Sequence, residues 1–323
     1  MSYAIRIHET GGPEKMRWEE VEVGSPGPGQ VLVRNTAVGL NFIDVYQRTG
    51  LYPLSLPLTL GMEGAGVVEA VGPKVKEFKV GDRVAYANPI GSYAEVCLRP
   101  VERLVKIPAG VSDRIAAAIM LKGMTAWYLV KRTYKVRKGD TILVHAAAGG
   151  VGQILCQWAK HLGATVIGTV GSDAKAVLAK KAGCKHVIVT SREKFVDRVK
   201  EITKGKGVPV VYDGVGKDTF MDSLDCLAPL GMMASFGNAS GAVTQFNPGV
   251  LAQKGSLFLT RPTLFTYTGK REDLVRAAQD LFAVVKNKAV RISINQTYPL
   301  REAAQAHIDL ESRKTTGSTV LLP

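Results

Sequence analysis

One stretch constrains the fold of this chain more than any other: an apolar run, a glycine-rich turn and a helical pattern in direct succession. The apolar run is 141–144, the turn is 145–152 with the sequence HAAAGGVG, and the helical pattern is 153–162. This is the order that a dinucleotide-binding fingerprint requires, because glycines permit a tight turn and let the backbone approach a pyrophosphate. The helix N-terminus adds unpaired N–H groups and a positive dipole end. The alternative is a tight turn without a ligand, since Ala147 stands where the fingerprint has its first glycine.

The chain from Thr141 onward alternates between strand and helix patterns, which predicts a parallel sheet with right-handed crossovers. Six strands are predicted, at 141–145, 164–170, 186–189, 208–213, 231–236 and 256–261. Helices are predicted between the first five, at 152–162, 174–182, 193–204 and 217–227. Six such strands indicate an α/β, doubly wound (Rossmann) sheet.

The part of the chain before this sheet has a different pattern. Residues 1 to about 120 contain short apolar runs separated by glycine and proline, which predicts a mainly β barrel or sandwich, ending in a helical stretch at 113–132. The tail mixes a helix near 272–287, a strand near 290–297, a helix at 300–313 and a strand at 317–322. We therefore expect the tail to rejoin the first domain, giving one domain of 1–122 with 263–323 and another of 123–262.

Composition restricts the compartment and the class of partner. The 323 residues are 46% apolar and 22% charged, which is typical of a soluble globular protein of about two domains. The chain has no apolar window long enough to span a membrane and no N-terminal secretion signal. Its four cysteines are scattered and form no C-x-x-C pair. These features predict a cytoplasmic protein with reduced thiols and without a membrane partner.

The formal charge of +14 makes nucleic acid, acidic lipid and a phosphorylated cofactor favourable partners. The basic residues are nevertheless spread along the chain, and aromatic residues, only 7% of the total, are not interleaved with them. Single-stranded nucleic-acid recognition needs such interleaving. Nucleic acid is thus a possible partner, but we do not expect nucleic-acid binding to be the main role of the protein.

The end of the second predicted strand bears on which dinucleotide would bind. An NAD site has an acidic residue about 20 residues past the glycines, on the ribose 2′-hydroxyl. Here the strand ends in Gly171 and Ser172, which leave room for a 2′-phosphate, and Lys175 can neutralise it. We therefore expect NADPH. An alignment shifted by one residue would place Asp173 at this position and reverse the preference.

Several motifs together resemble one family. They are the glycine turn in its frame 139–160, two segments at 39–46 and 50–53, a glycine-rich strand at 61–68, and two late segments at 235–241 and 260–262. In order and spacing they resemble the quinone oxidoreductases related to zeta-crystallin, in the medium-chain dehydrogenase/reductase superfamily. The resemblance covers nearly the whole chain and implies a GroES-like barrel domain beside the Rossmann domain.

The resemblance also implies a cofactor site and an activity. The implied NADPH contacts are Asn41, Thr125, Gly149, Gly150, Val151, Gly171, Ser172, Lys175, Thr190, Phe236, Gly237, Asn238, Ser240 and Arg313. Thr190 departs from close relatives, which often have a tyrosine against the adenine ribose. The implied activity is reduction of quinones by NADPH. Reduction of α,β-unsaturated carbonyls is the alternative, and an RNA-binding or crystallin-like role is a third hypothesis.

The implied catalytic residues are Asn41, Tyr46 and Tyr52, as hydrogen-bond donors to the developing anion and, for the tyrosines, as surfaces against a flat substrate. Zinc-dependent members of the superfamily hold their metal through Cys, His and Cys. The corresponding positions here are Asn41, Met62 and Lys122, which predicts no metal. Lys122 is expected in a structural salt bridge. Relatives commonly dimerise through the strand at 256–260, so we expect a homodimer.

Overall fold

The computed structural model describes residues 2–323 and contains sixteen strands and ten α-helices over that range. The strands are β1 Ser2–Ile7, β2 Arg17–Val21, β3 Gln30–Leu40, β4 Leu58–Thr59, β5 Glu63–Val71, β6 Arg83–Tyr86, β7 Val96–Pro100, β8 Val105–Lys106, β9 Thr141–Val144, β10 Thr165–Val170, β11 His186–Val189, β12 Val208–Asp213, β13 Leu227–Ser235, β14 Phe258–Thr260, β15 Ile294–Pro299 and β16 Ser318–Leu322. The helices are α1 Phe42–Arg48, α2 Asp113–Tyr128, α3 Gly150–His161, α4 Asp173–Lys181, α5 Phe195–Ile202, α6 Phe220–Leu224, α7 Gly249–Gln253, α8 Leu264–Tyr267, α9 Arg271–Lys286 and α10 Ala303–Glu311.

The chain forms two compact units. The first, the barrel unit, comprises residues up to Lys122 together with Lys270–Phe282 and Ile292–Pro323. The second, the nucleotide unit, comprises Gly123–Gly269 and Ala283–Arg291. The sequence-based division had its later boundary between residues 262 and 263.

The nucleotide unit is built on one six-stranded sheet. Its order is β11-β10-β9-β12-β13-β14, and every pairing in it is parallel. Counted along the chain, the strands of the sheet lie in the order 3-2-1-4-5-6, which is that of the doubly wound dinucleotide fold. The predicted α/β class is therefore confirmed. Buried aliphatic and aromatic side chains, including Leu143, Ile167 and Val211 of the adjacent strands β9, β10 and β12, form its core.

Three elements of this unit differ from the predicted ones. The fifth strand begins at Leu227, where Leu227 pairs with Val208, so the predicted helix 217–227 is limited to α6. Two short helices, α7 before the sixth strand and α8 after it, were not predicted. The early start of the fifth strand arises because pairing with a neighbouring strand, rather than local propensity, decides where this segment begins.

The barrel unit is mainly β, as predicted. A seven-stranded sheet has the order β15-β16-β3-β5-β6-β8, with β7 paired to β3, and a smaller sheet has the order β2-β1-β4. The C-terminal strand β16 pairs antiparallel with β3, with Thr319 opposite Leu40, so the tail of the chain belongs to this sheet. The helix α1 directly follows β3 and interrupts the β pattern that the sequence predicted for this region.

None of the helices in the described chain combines the length and the apolar character that crossing a bilayer requires.

Candidate functional site

The glycine turn of the nucleotide unit connects β9 to α3. The left-handed conformation that makes the turn tight falls on Ala146, which has a φ of 51°. The neighbouring Ala147 donates its N–H to the carbonyl of Thr169 at 3.0 Å, and Gly149 donates to the carbonyl of Ala146 at 2.9 Å. Ala147 therefore needs no glycine: the strained position lies one residue earlier.

Gly152 lets helix α3 pack against this turn. A Cβ at Gly152 would lie 2.2 Å from the carbonyl oxygen of Ala146 and 2.9 Å from the Cα of Ala147. The helix begins at Gly150 with Gly149 as its N-cap, so the first N–H groups of the helix have no partner within it. A backbone turn that ends in such a helix N-terminus fits a pyrophosphate.

The next connection, from β10 to α4, lies at the same carboxyl end of the sheet as the glycine turn. Gly171 follows β10, and a Cβ built on it meets no atom within 4 Å. Ser172 caps α4, its hydroxyl accepting from the N–H of Lys175 at 3.5 Å. Thr190, after the adjacent β11, donates its N–H to Val170 at 2.9 Å, so it lies beside this connection. Open space, a hydroxyl and an ammonium group suit a 2′-phosphate.

Asp173, the residue that would have favoured NAD, has a partner elsewhere. Its carboxylate lies 2.8 Å from the guanidinium of Arg192, and both side chains are exposed. This contact holds the carboxylate in a surface ion pair.

The loop after β13 is attached to the loop after β12. Phe236 donates its N–H to the carbonyl of Asp213 at 2.8 Å, and a Cβ at Gly237 would lie 2.4 Å from the carbonyl oxygen of Gly214. Ser240 donates its hydroxyl to the carbonyl of Val215 at 2.9 Å. The predicted residues 236–240 therefore lie at the carboxyl end of the sheet, where ligands bind in open α/β folds.

A buried series of side-chain hydrogen bonds connects the strands that lead into these turns. The sequence did not predict it. Thr169 Oγ1 lies 2.8 Å from His145 Nδ1, and His145 Nε2 lies 2.9 Å from Ser223 Oγ. Asp213 accepts from Ser223 Oγ at 3.4 Å and from the backbone N–H of Val215 at 2.7 Å. Burial lowers the pKa of His145, against the opposing effect of Asp213, so the imidazole is neutral. The series connects the ends of β9, β10 and β12.

The implied catalytic residues and Arg313 lie in the barrel unit, whereas Thr125 and the other implied cofactor contacts lie in the nucleotide unit. Tyr46 and Tyr52 are in contact, with ring centroids 5.2 Å apart at 65°. Tyr52 also donates its N–H to the carbonyl of Tyr46 at 3.0 Å. Arg313 follows α10 with a φ of 60°.

Asn41 is the N-cap of α1, and two acidic residues hold it. Asp44 accepts from its backbone N–H at 2.9 Å. Glu63 accepts from its side-chain nitrogen at 3.0 Å, and the carbonyl of Gly39 accepts from the same nitrogen at 3.3 Å. Both amide hydrogens of Asn41 therefore have acceptors within the protein, and its side-chain oxygen takes part in the capping box of α1 by accepting from the backbone N–H of Asp44.

Asp44 ends a second buried chain of hydrogen bonds. Arg48 Nη1 lies 3.1 Å from His307 Nδ1, His307 Nε2 lies 3.2 Å from the Tyr93 hydroxyl, and that hydroxyl donates to Asp44 at 2.9 Å. Since arginine only donates, Nδ1 of His307 accepts and Nε2 carries the hydrogen. Burial and Arg48 lower the pKa of His307 to about 3. Burial raises the pKa of Asp44 to about 7, although its hydrogen bonds from Asn41 and Tyr93 act in the opposite direction.

The three positions that correspond to zinc ligands in related enzymes are occupied by groups that do not fit zinc. Asn41 donates to Glu63, and Met62 accepts from the side-chain amide of Gln47 at 3.2 Å. Lys122 lies 2.5 Å from Glu63, which confirms the predicted salt bridge. An amide, a thioether and an ammonium group are not a zinc donor set.

The segments 39–46 and 61–68 carried the family resemblance, but Gly39 and Glu63 were not singled out in them as residues that hold Asn41 and Lys122. A Cβ at Gly39 would lie 2.3 Å from Glu63 Oε1 and 2.3 Å from the carbonyl oxygen of Ala117. The sequence signal that could have identified Glu63 is a single carboxylate in a run of glycine and apolar residues. In the structure this carboxylate is completely buried in β5.

Comparison with known proteins agrees with this geometry. Residues 150–282 match the sequence profile of zinc-binding dehydrogenases, and residues 27–109 match that of alcohol dehydrogenase GroES-like domains. The two units thus define an enzyme of the medium-chain dehydrogenase/reductase class.

Full-length relatives narrow the class further. A quinone oxidoreductase of Pseudomonas aeruginosa is 54% identical, and a 2-haloacrylate reductase of Burkholderia sp. is 50% identical; both alignments cover 100% of this chain and at least 99% of the relative. The crystal structure of Escherichia coli quinone oxidoreductase complexed with NADPH superposes with a TM-score of 0.98 at 49% identity, covering 99% of this chain and 100% of that one. The chain belongs to the quinone oxidoreductase family.

Proposed function

We propose that this protein is an NADPH-dependent oxidoreductase that reduces quinones without a metal ion. The observation that carries the proposal is the donor set of Asn41, Met62 and Lys122, whose side-chain partners within the protein leave the barrel unit without a zinc site. A quinone is already a good hydride acceptor, so it needs no Lewis acid. The full-length similarity to quinone oxidoreductases supports the same conclusion.

The nucleotide unit would hold NADPH through three parts of its edge. The turn at Gly149, Gly150 and Val151 suits the pyrophosphate, because it ends at the N-terminus of α3. The adenosine 2′-phosphate would contact the connection 171–175 and Thr190, and the nicotinamide end would contact Thr125 and the loop 236–240. Arg313 of the barrel unit would also contact the cofactor. When bound, NADPH supplies the hydride.

The barrel unit would bind and orient the acceptor. Tyr46 and Tyr52 present two aromatic rings in edge contact, which suits a flat substrate and allows their hydroxyls to donate to its oxygens. Asn41, whose amide hydrogens are already used, would accept from a hydroxyl group through its carbonyl oxygen. Asp44 and Glu63 position Asn41 for this, and a proton from solvent completes the reduction.

A second activity, reduction of an activated alkene, has an observation of its own in its favour. The relative from Burkholderia sp. is named a 2-haloacrylate reductase and is 50% identical over the full chain. An enone and a quinone share the electronic property that matters, which is an electron-poor carbon conjugated to an oxygen that can carry negative charge.

The activity test is NADPH and NADH oxidation by the purified protein with 9,10-phenanthrenequinone, 1,4-benzoquinone and an alkenal. We expect turnover of both quinones with NADPH as the preferred donor. Turnover of the alkenal alone would favour the second activity, and absence of turnover with every acceptor would contradict both.

We also propose that the protein is a cytoplasmic homodimer. Strand β14 is the last in the order of the six-stranded sheet, and its Phe258 is 58% exposed. An exposed apolar edge of this kind favours pairing with a second copy. Light scattering of the wild-type protein and of Phe258→Asp tests this: a dimer that the substitution dissociates is expected, and a monomeric wild type would contradict the proposal.

A further inference from the structure

We infer that Lys122 is a catalytic residue, whose ammonium group donates a hydrogen bond to the acceptor oxygen that gains negative charge on hydride transfer. The inference rests on the proposed function and assigns to Lys122 a role beyond its salt bridge. It adds a charged donor to the neutral tyrosine hydroxyls, since Asn41 has no amide hydrogen left for the developing anion.

The first observation is a buried ammonium group that has one acceptor residue among the described residues. Lys122 is only 6% exposed. Within residues 2–323, its contact partner is the carboxylate of Glu63. An ammonium group has three N–H donors, and leaving donors of a buried charge without acceptors is costly. Such a site favours binding of a further hydrogen-bond acceptor, and a negatively charged oxygen is the strongest acceptor of this kind.

The second observation is that Glu63 is rigidly held and shared. Its Oε2 accepts from the backbone N–H of Leu121 at 2.6 Å, and its Oε1 accepts from both Asn41 and Lys122. The missing side chain of Gly39 leaves the space that Oε1 occupies. Because three donors share this one negative charge, Glu63 fixes the position of the Lys122 ammonium group without neutralising it completely.

The electron balance of the step is simple. An enone gains the hydride at its electron-poor β-carbon, and its conjugated π electrons move to its oxygen. A quinone gains the hydride at one carbonyl oxygen, and its π electrons move to the other oxygen as the ring becomes aromatic. In both cases the nicotinamide is oxidised by two electrons. Lys122 keeps its proton and donates a hydrogen bond to the new oxyanion. Water then supplies the proton that converts the oxyanion to a hydroxyl group. Such a pre-positioned cation stabilises charge that is present only in the transition state and after it.

The acceptor determines how much this stabilisation matters. A quinone yields an aromatic hydroquinone anion that is stable without much help, whereas an enone yields a more basic enolate. Removal of Lys122 should therefore slow enone reduction much more than quinone reduction. A purely structural salt bridge would affect both acceptors by the same factor, because its loss would disturb the site equally for each.

The test uses Lys122→Met and the paired variant Glu63→Gln/Lys122→Met, which removes the unpaired buried carboxylate that could prevent the single variant from folding. Lys106→Met is the matched control, since Lys106 is also ion-paired, to Asp82, but is about half exposed. Single-turnover hydride transfer is measured with one quinone and one enone at saturating NADPH, and the dissociation constant for NADPH is measured separately.

We expect both Lys122 variants to lose about 100-fold in the hydride-transfer rate to the enone, the size typical of a deleted oxyanion donor, and less than about tenfold for the quinone. NADPH affinity and the Lys106→Met rates should stay within about twofold of wild type. Equal losses for both acceptors, or a paired variant with the wild-type enone rate, would overturn the inference while leaving the proposed function intact. A wild-type protein that binds NADPH but reduces neither acceptor would instead overturn the proposed function, and this inference with it.

Discussion

Asn41 and Lys122 donate to the same oxygen, Oε1 of Glu63, and this shared acceptor fixes both groups in the barrel unit. Asn41 begins helix α1, and Lys122 lies within helix α2, so one buried carboxylate joins the two helices. Related enzymes that use zinc have metal ligands at these positions. Here an ion pair and an amide occupy them, which is why the acceptor chemistry must proceed without a Lewis acid.

Gly39→Ala should destabilise the protein by about 1–3 kcal/mol, the usual range for overpacking a buried site. The added Cβ would overlap both Glu63 Oε1 and the backbone carbonyl of Ala117, and a backbone oxygen cannot move aside as a flexible side chain does. Urea unfolding without cofactor measures the effect. Gly171→Ala is the control, because its Cβ has open space and should change the free energy of unfolding by less than about 0.5 kcal/mol. Equal stability of both variants would contradict the proposed packing around Glu63.

Two neighbouring alanines in the glycine turn should respond oppositely to the same substitution. Ala146→Gly should raise the free energy of unfolding by about 1 kcal/mol, because glycine removes the cost of a left-handed conformation. Ala147→Gly should lower it by about 0.5–1 kcal/mol or more, because Ala147 is fully buried and has an ordinary conformation. Urea unfolding of the two variants without cofactor checks both signs. The reverse order would show that the turn is strained at Ala147, where the fingerprint has its first glycine.

Lys175→Ala should raise KM for NADPH by about tenfold or more, the loss expected for one charge-assisted hydrogen bond, and leave KM for NADH within about twofold. Lys181→Ala serves as the control, because Lys181 lies at the opposite end of the same helix. Steady-state kinetics with a saturating quinone measures both constants. A parallel rise in both KM values would mean that Lys175 does not contact the 2′-phosphate.

The buried Asp44 and His307 should impose opposite pH dependences on stability. Asp44 has its pKa raised by burial to about 7, so the folded state binds its proton more tightly, and this contribution to stability is lost as the pH rises from about 4 through 7. His307 has its pKa lowered to about 3, so its contribution is lost as the pH falls below about 6.5.

Asp44→Asn separates the two effects, because an amide oxygen can still accept from Asn41 and Tyr93 but does not titrate. The free energy of unfolding of the variant, relative to wild type, should be higher at pH 8 than at pH 5. Urea unfolding at both pH values is the measurement. A difference that does not change with pH would contradict the raised pKa of Asp44.

The sequence predicted the nucleotide unit well because its signals are local. The apolar strands alternate with helices, and the spacing 139–160 places the turn between β9 and α3. The strained residue was not predictable in this way: the pattern drew attention to Ala147, whereas the left-handed residue is Ala146. Only the path of the backbone into the hydrogen bond with Thr169 determines which of the two alanines turns.

The barrel site was harder to predict because its contacts join distant parts of the chain. Glu63 lies 59 residues from Lys122, and His307 lies 259 residues from Arg48. Taken singly, such residues look like ordinary strand or helix positions. The family resemblance drew attention to Asn41, but the direction of its amide depends on Glu63 and Gly39, whose contacts with the Asn41 side chain form only in the folded chain.

The most direct test of the central claim is NADPH oxidation with 9,10-phenanthrenequinone, measured on metal-free protein before and after addition of zinc. The account predicts full activity after exhaustive treatment with a chelator and no gain on adding zinc, because Asn41, Met62 and Lys122 cannot form a zinc site. Activity that disappears with the chelator and returns with zinc would contradict the account.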